Sequence, residues 1–150
     1  MRKLARLGWM VIALLIAGGV AMLAACQPSL GGINVVREAG LASTTTVEIS
    51  ERANKPGTDR LRQGAITDPA TVQGLVKTLD QRLPLGPPAE CLPQYRLRFQ
   101  LADGRAEDFD YFCEDGASFL RGSQTFWKLQ QIQPSAEFDE LMQRAVAELE

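Results

Sequence analysis

Residues 95–101 read Tyr95-Arg96-Leu97-Arg98-Phe99-Gln100-Leu101, with every odd position apolar and every even one polar. A period of two is the pattern of a half-buried β-strand, one face in a core and the other toward water. After Ala102-Asp103-Gly104 the alternation resumes, with Phe109, Tyr111 and Cys113 set against Asp108 and Asp110. The loop length decides whether like faces meet. A two- or four-residue loop sets Phe99 opposite Asp108, which a sheet buried on one side resists. A three-residue loop, with Gly104 left-handed as a bulge, restores the match. Leu97 then faces Phe109, Tyr95 faces Tyr111, Arg98 faces Asp108 and Arg96 faces Asp110. The same register brings Cys113 opposite Pro93, two residues from Cys91.

Working outward, Thr44-Thr45-Thr46-Val47-Glu48-Ile49-Ser50 alternates in residues that suit a pleated surface and is expected as the first strand. Asn54-Lys55-Pro56-Gly57 is a turn, residues 60–66 a short irregular strand, and residues 117–121 a further one. Asp68 caps a helix with Pro69 in its first turn, and Val72, Leu75, Val76, Leu79 and Leu83 form its apolar stripe until Pro84. Ser135 caps a second helix, with Phe138, Leu141, Met142, Ala145 and Leu149 on one face. Pro84-Leu85-Gly86-Pro87-Pro88 is too stiff for a central strand and reads as an exposed loop; residues 122–133 read as irregular or partly extended. The expected fold is α+β: a small antiparallel sheet with two helices packed on one face and one disulfide.

Met1 to Arg6 carries Arg2, Lys3 and Arg6 without an acid, Leu7 to Met22 carries no charge, and Leu23-Ala24-Ala25-Cys26 follows. This ordered segment resembles the lipobox signal peptide of bacterial lipoproteins. The resemblance implies that Cys26 receives a diacylglycerol, that a lipoprotein signal peptidase cuts after Ala25, and that the new amine is then open to acylation. Two or three acyl chains, at about 0.8 kcal/mol per buried CH2, make a lasting anchor. It implies an extracytoplasmic domain at the cell membrane or outer membrane; Gln27 after the cysteine favours the outer one where there are two membranes. The competing reading of Leu7 to Ala25 is an uncleaved transmembrane anchor. Residues 1–25 are thus expected as signal peptide, 26–43, with Pro28, Gly31, Gly32 and Gly40, as a flexible tether, and 44–150 as a single domain.

Removing the leader takes three of 16 basic residues and none of 18 acids, leaving 13 against 18. That acidic balance argues against a nucleic-acid partner and against electrostatic binding to anionic head groups. Of three cysteines the leader claims one, and Cys91 and Cys113 remain as an even pair in an oxidising compartment, the setting of a structural disulfide. A redox or metal role needs a Cys-x-x-Cys spacing or further ligands, and the chain has neither.

Histidine is absent, which excludes His-dependent triads and His metal sites. Neither a nucleophile elbow nor a P-loop occurs, and none of Lys55, Lys77 and Lys128 stands in a Ser-x-x-Lys motif. The acids Glu107, Asp108, Asp110, Glu114 and Asp115 are the densest charged cluster. Their spacing is not that of an EF-hand, and the hairpin offers Asp108 and Asp110 cross-strand arginines, so a solvated, salt-bridged face is favoured over calcium. Trp127, Phe126 and Phe119 either complete the core or form a binding patch, the core being the expectation in a small domain. Arg96, Arg98 and Arg121 are expected to project from the open sheet face toward an acidic ligand. The sequence therefore reads as a lipid-anchored, non-enzymatic binding or accessory domain with no cofactor and no metal. A partner in the envelope meets it through the sheet face, with Trp127 as a further candidate, or through the Pro-rich loop. The alternative of another class is a carboxylate-dependent hydrolase of envelope glycan, which requires two acids in a cleft about 5 to 9.5 Å apart.

Overall fold

The computed structural model describes residues 32–53, 61–87, 91–113, 116, 118–122 and 130–149, without the side chain of residue 113. Its centre is the hairpin of β4 (Pro93–Leu101) and β5 (Ala106–Cys113). The pairing is the one that matching the faces requires: Tyr95 with Tyr111, Arg96 with Asp110, Leu97 with Phe109 and Arg98 with Asp108. The loop closes through Gly104 N–H to Leu101 C=O at 3.0 Å and Leu101 N–H to Arg105 C=O at 2.8 Å. Gly104 has φ of 83°, the left-handed value that a side chain resists.

β1 (Thr44–Glu51) pairs antiparallel with β4 and aligns Val47 with Phe99 and Ile49 with Leu97. β2 (Gln63–Ile66) pairs with β1, and β6 (Leu120–Gly122) with β5. The short strands β7 (Gln131–Ile132) and β3 (Leu85–Gly86) complete a seven-stranded antiparallel sheet in the order β2-β1-β4-β5-β6-β7-β3. Leu85 and Gly86, expected in an exposed Pro-rich loop, thus form an edge strand, where the lack of proline N–H groups on either side does no harm. Ile132 sits at 0% exposure within the stretch expected as irregular or partly extended, and its backbone pairs with both Leu85 and Leu120.

Both expected helices form. Asp68 accepts from Thr71 N–H at 2.8 Å at the start of α2 (Pro69–Leu79), and Ser135 Oγ accepts from Phe138 N–H at 3.2 Å at the start of α3 (Ala136–Ala147). α2 stops short of Leu83, whose N–H and C=O are taken by Ile33 at 2.9 and 2.8 Å. The two-helix expectation is corrected by a third, α1 (Val35–Ala39), capped by Asn34 and followed by a 3-10 turn at Leu41–Ser43. Ile33, Val35, Val36, Ala39 and Leu41 are buried in the main core. Residues 33–43 therefore belong to the domain and not to a flexible tether. Glycines at positions 32 and 40 masked an apolar stripe too short to register as a helix.

One face of the sheet carries the core, in which Val47, Ile49, Leu97, Phe99, Phe109 and Tyr111 meet Leu75, Leu79, Phe138 and Met142 from the helices. Phe99 and Phe109 pack edge to face at 5.3 Å, and Tyr111 meets Phe138 likewise at 5.7 Å. Asp139 accepts hydrogen bonds from Tyr111 Oη at 2.9 Å and Ser118 Oγ at 2.7 Å, tying α3 to the sheet. Burial, reinforced by the neighbouring Asp139 charge, pushes the Tyr111 hydroxyl far above its ordinary pKa.

The expected leader at residues 1–25, Cys26, the 54–57 turn, and Lys55, Glu114, Asp115, Phe126, Trp127 and Lys128 lie outside the described residues. Among the described residues no helix is long and apolar enough to cross a membrane. The expected Cys91–Cys113 bridge is likewise not established, since the Cys113 side chain is outside them; what the structure gives is the backbone pairing of Cys113 with Pro93.

Phe99 is fully enclosed, so Phe99→Ala is expected to lower unfolding free energy by about 3–5 kcal/mol in urea denaturation. A loss under about 1 kcal/mol would place the core elsewhere.

Candidate functional site

On the face away from the helices, the even positions of β4 and β5 line up with those of β1 and β6. Cross-strand rows run Ala65, Glu48, Arg98, Asp108 and Gln63, Ser50, Arg96, Asp110, Arg121. The register thus brings together Arg96, Arg98 and Arg121, as the sequence led one to expect. Trp127, the fourth expected member, lies outside the described residues. The described side chains here are exposed or half-buried, whereas Tyr95, Leu97, Phe99 and Leu101 between them on β4 are buried.

The ionic pattern on this face is uneven. Arg98 makes a two-pronged contact with Asp108, Nε to Oδ1 at 2.7 Å and Nη2 to Oδ2 at 2.9 Å. Asp110 receives Arg52 on one oxygen and Arg121 on the other, the latter at 3.5 Å. Arg52, just beyond β1, was not singled out in the sequence. It follows the last alternating residue of its strand, and nothing local shows that its side chain crosses β4 to reach Asp110. Its Nε is shut from solvent without a hydrogen-bond partner among the described residues. Arg121 also lies 5.5 Å over the ring of Phe119, which is buried.

Arg96 stands opposite Asp110, whose oxygens are taken by Arg52 and Arg121, and it makes no hydrogen bond or salt bridge among the described residues. Among the described residues four arginines face Glu48, Asp108 and Asp110, an excess of positive charge on this face of an acidic chain. Toward β2 the face dips into a hollow of about 560 Å³ lined by Glu48, Ser50, Gln63, Ala65, Arg96 and Arg98.

The Arg98 guanidinium hydrogen-bonds Asp108 and holds its carboxyl below the usual carboxylate range, with Arg96 and Arg52 adding to the effect at longer range. An acid that protonates a glycosidic oxygen needs the opposite shift. Asp108 is therefore built as a permanent anion in an ion pair. No group of three or more His, Cys, Asp or Glu side chains that could hold a metal ion occurs among the described residues.

Sequence reasoning missed Phe112. Strict alternation assigns it to the open face, but it has φ of 61°, uncommon for a residue with a Cβ. Its ring instead stands on the helical side, 5.5 Å from that of Tyr111, and packs against the main core. There Tyr95, Tyr111 and Phe112 line an apolar hollow of about 200 Å³ beside Val146 and Ala147 of α3.

The Arg98–Asp108 pair has a directional consequence for pH. The folded-state Asp108 titrates below its unfolded value, so its contribution is present above about pH 4 and is lost as pH falls through the lowered folded value. Arg98→Met is expected to raise the Asp108 pKa toward that of an ordinary aspartate in an NMR titration. Its stability deficit against the native chain should shrink on acidification; a deficit independent of pH would show that the pair contributes nothing electrostatic.

No family model, curated protein or solved structure matches the chain.

Proposed function

We propose that this chain is a lipid-anchored extracytoplasmic protein whose domain is a non-enzymatic binding module, docking an acidic surface of an envelope partner on the arginine face of the sheet. The observation that carries the reading is Arg96, exposed and in no salt bridge or hydrogen bond among the described residues, flanked by Arg52, Arg98 and Arg121. Arginine is suited to this role because its planar fork matches carboxylate geometry and is only weakly hydrated. The Asp108 and Asp110 carboxylates hold neighbouring guanidinium groups in place, which lowers the ordering cost when a partner arrives. The anchor rests on the resemblance of Leu23-Ala24-Ala25-Cys26 to a lipobox.

The test is cross-linking of the membrane-tethered protein in intact cells, comparing the native chain with Arg96→Glu. The expected result is one recurrent envelope protein, cross-linked through an acid-rich segment, whose capture falls with Arg96→Glu and with added salt while the melting temperature holds. Equal capture by both chains would overturn the arginine face, and a lipid label that survives Cys26→Ser would overturn the anchor.

We also infer that Cys91 and Cys113 form a disulfide. The support is the pairing of Cys113 with Pro93, which sets the two cysteines at the open end of the hairpin. Closing that loop is worth about 3 kcal/mol on the chain-entropy model. Denatured, unreduced exported protein should show no free thiol from either residue; two free thiols would refute the bridge.

A further inference from the structure

The first described residues of the chain are held at one edge of the sheet. Ile33 exchanges both backbone hydrogen bonds with Leu83, two residues before the edge strand β3. Arg82 Nε donates to Gly32 C=O at 3.0 Å, and Asn34 donates to Asp80 at 2.9 Å. At Gly32 a Cβ would meet Arg82 Cγ at 2.7 Å and Leu83 O at 3.0 Å, so the chain enters the fold by a close approach that a side chain would obstruct. The entry point is thus fixed by one isolated backbone bridge and two side-chain contacts.

Six residues separate this point from Cys26. Fully extended, they span about 20 Å. A domain of about 120 residues has a radius of gyration near 14 Å, so it is about 35 Å across. To turn its entry edge to the side away from the bilayer, the tether would have to reach about that full width, and it is too short.

We infer that the β3 edge, with the exposed Gln81, Arg82 and Pro84, is a membrane-facing surface that lies against the lipid head groups, while the β2 edge points away from the bilayer. The inference rests on the lipid anchor proposed above. Tether length keeps the entry edge within about 20 Å of the bilayer, and the exposed Gln81, Arg82 and Pro84 are the side chains that this edge presents to it. In this posture the sheet stands on its edge. Its arginine face then looks sideways along the membrane, within reach of a neighbour anchored in the same bilayer.

The experiment is photo-cross-linking to phospholipid in native membranes, with p-benzoylphenylalanine at Gln81 or at Ala65, both exposed positions. Ala65 lies on β2, at the opposite edge of the sheet. The expected result is phospholipid adducts from position 81 and none above the unirradiated background from position 65. Adducts of equal yield from both positions would overturn the posture, as would adducts from position 65 alone. The mass of the N-terminal peptide separates the two readings. A lipidated Cys26 with no preference for position 81 refutes the orientation and leaves the anchor standing, whereas an unlipidated Cys26 removes the anchor itself. Wild-type melting of both labelled chains excludes misfolding as the source of a negative result.

Discussion

The match of faces across β4 and β5 is the constraint on which the rest of the structure depends. A strand has a side-chain period of two, so a slip of one residue in this pairing would set Phe99 against Asp108 and expose a row of aromatics. The three-residue loop with Gly104 at φ of 83° removes that option. With the register set, one side of the central hairpin is Tyr95, Leu97, Phe99, Phe109 and Tyr111, and the other is Arg96, Arg98, Asp108 and Asp110. β1 and β6 extend both patterns, and the helices follow because only one side offers them an apolar surface.

Magnitudes separate what holds the fold from what the fold displays. Each large apolar side chain enclosed in the core contributes about 1.5–3 kcal/mol, and there are many of them. Exposed ion pairs are worth about 0–1 kcal/mol each. The arginine face is therefore not needed to keep the domain folded. Among the described residues the face holds Arg52, Arg98 and Arg121 in ion pairs and leaves Arg96 without a salt bridge. The Nε of Arg52, shut from solvent without an acceptor among the described residues, is a cost that core stability must offset.

Two departures from regularity shape the rest of the surface. Phe112 abandons the alternation of β5, placing an aromatic ring next to Tyr111 where a regular strand would have sent it to the arginine face. Ile33 and α1 fold back onto the sheet and α2, so their apolar side chains are packed in the core instead of free. The first keeps the open face polar near its lower end. The second fixes where the chain enters the domain, at the β3 edge.

The sequence by itself determined the elements whose information is local. Alternation and loop length specified the hairpin and its register, Asp68 and Ser135 marked two helix starts, and the alternation placed Arg96 and Arg98 on a face away from the core. Arg121 on that same face was also legible, because residues 117–121 read as a strand. Tertiary structure alone decided the strand order, the pairing of Leu85 with Ile132, the reach of Arg52 to Asp110 and the burial of Ile33, Val35, Val36, Ala39 and Leu41. Each of these depends on contacts between residues distant in sequence, and strands of two residues or a helix of five are too short to carry a periodicity. Such segments take their conformation from the surface they complete, and that surface exists only once the longer elements have assembled.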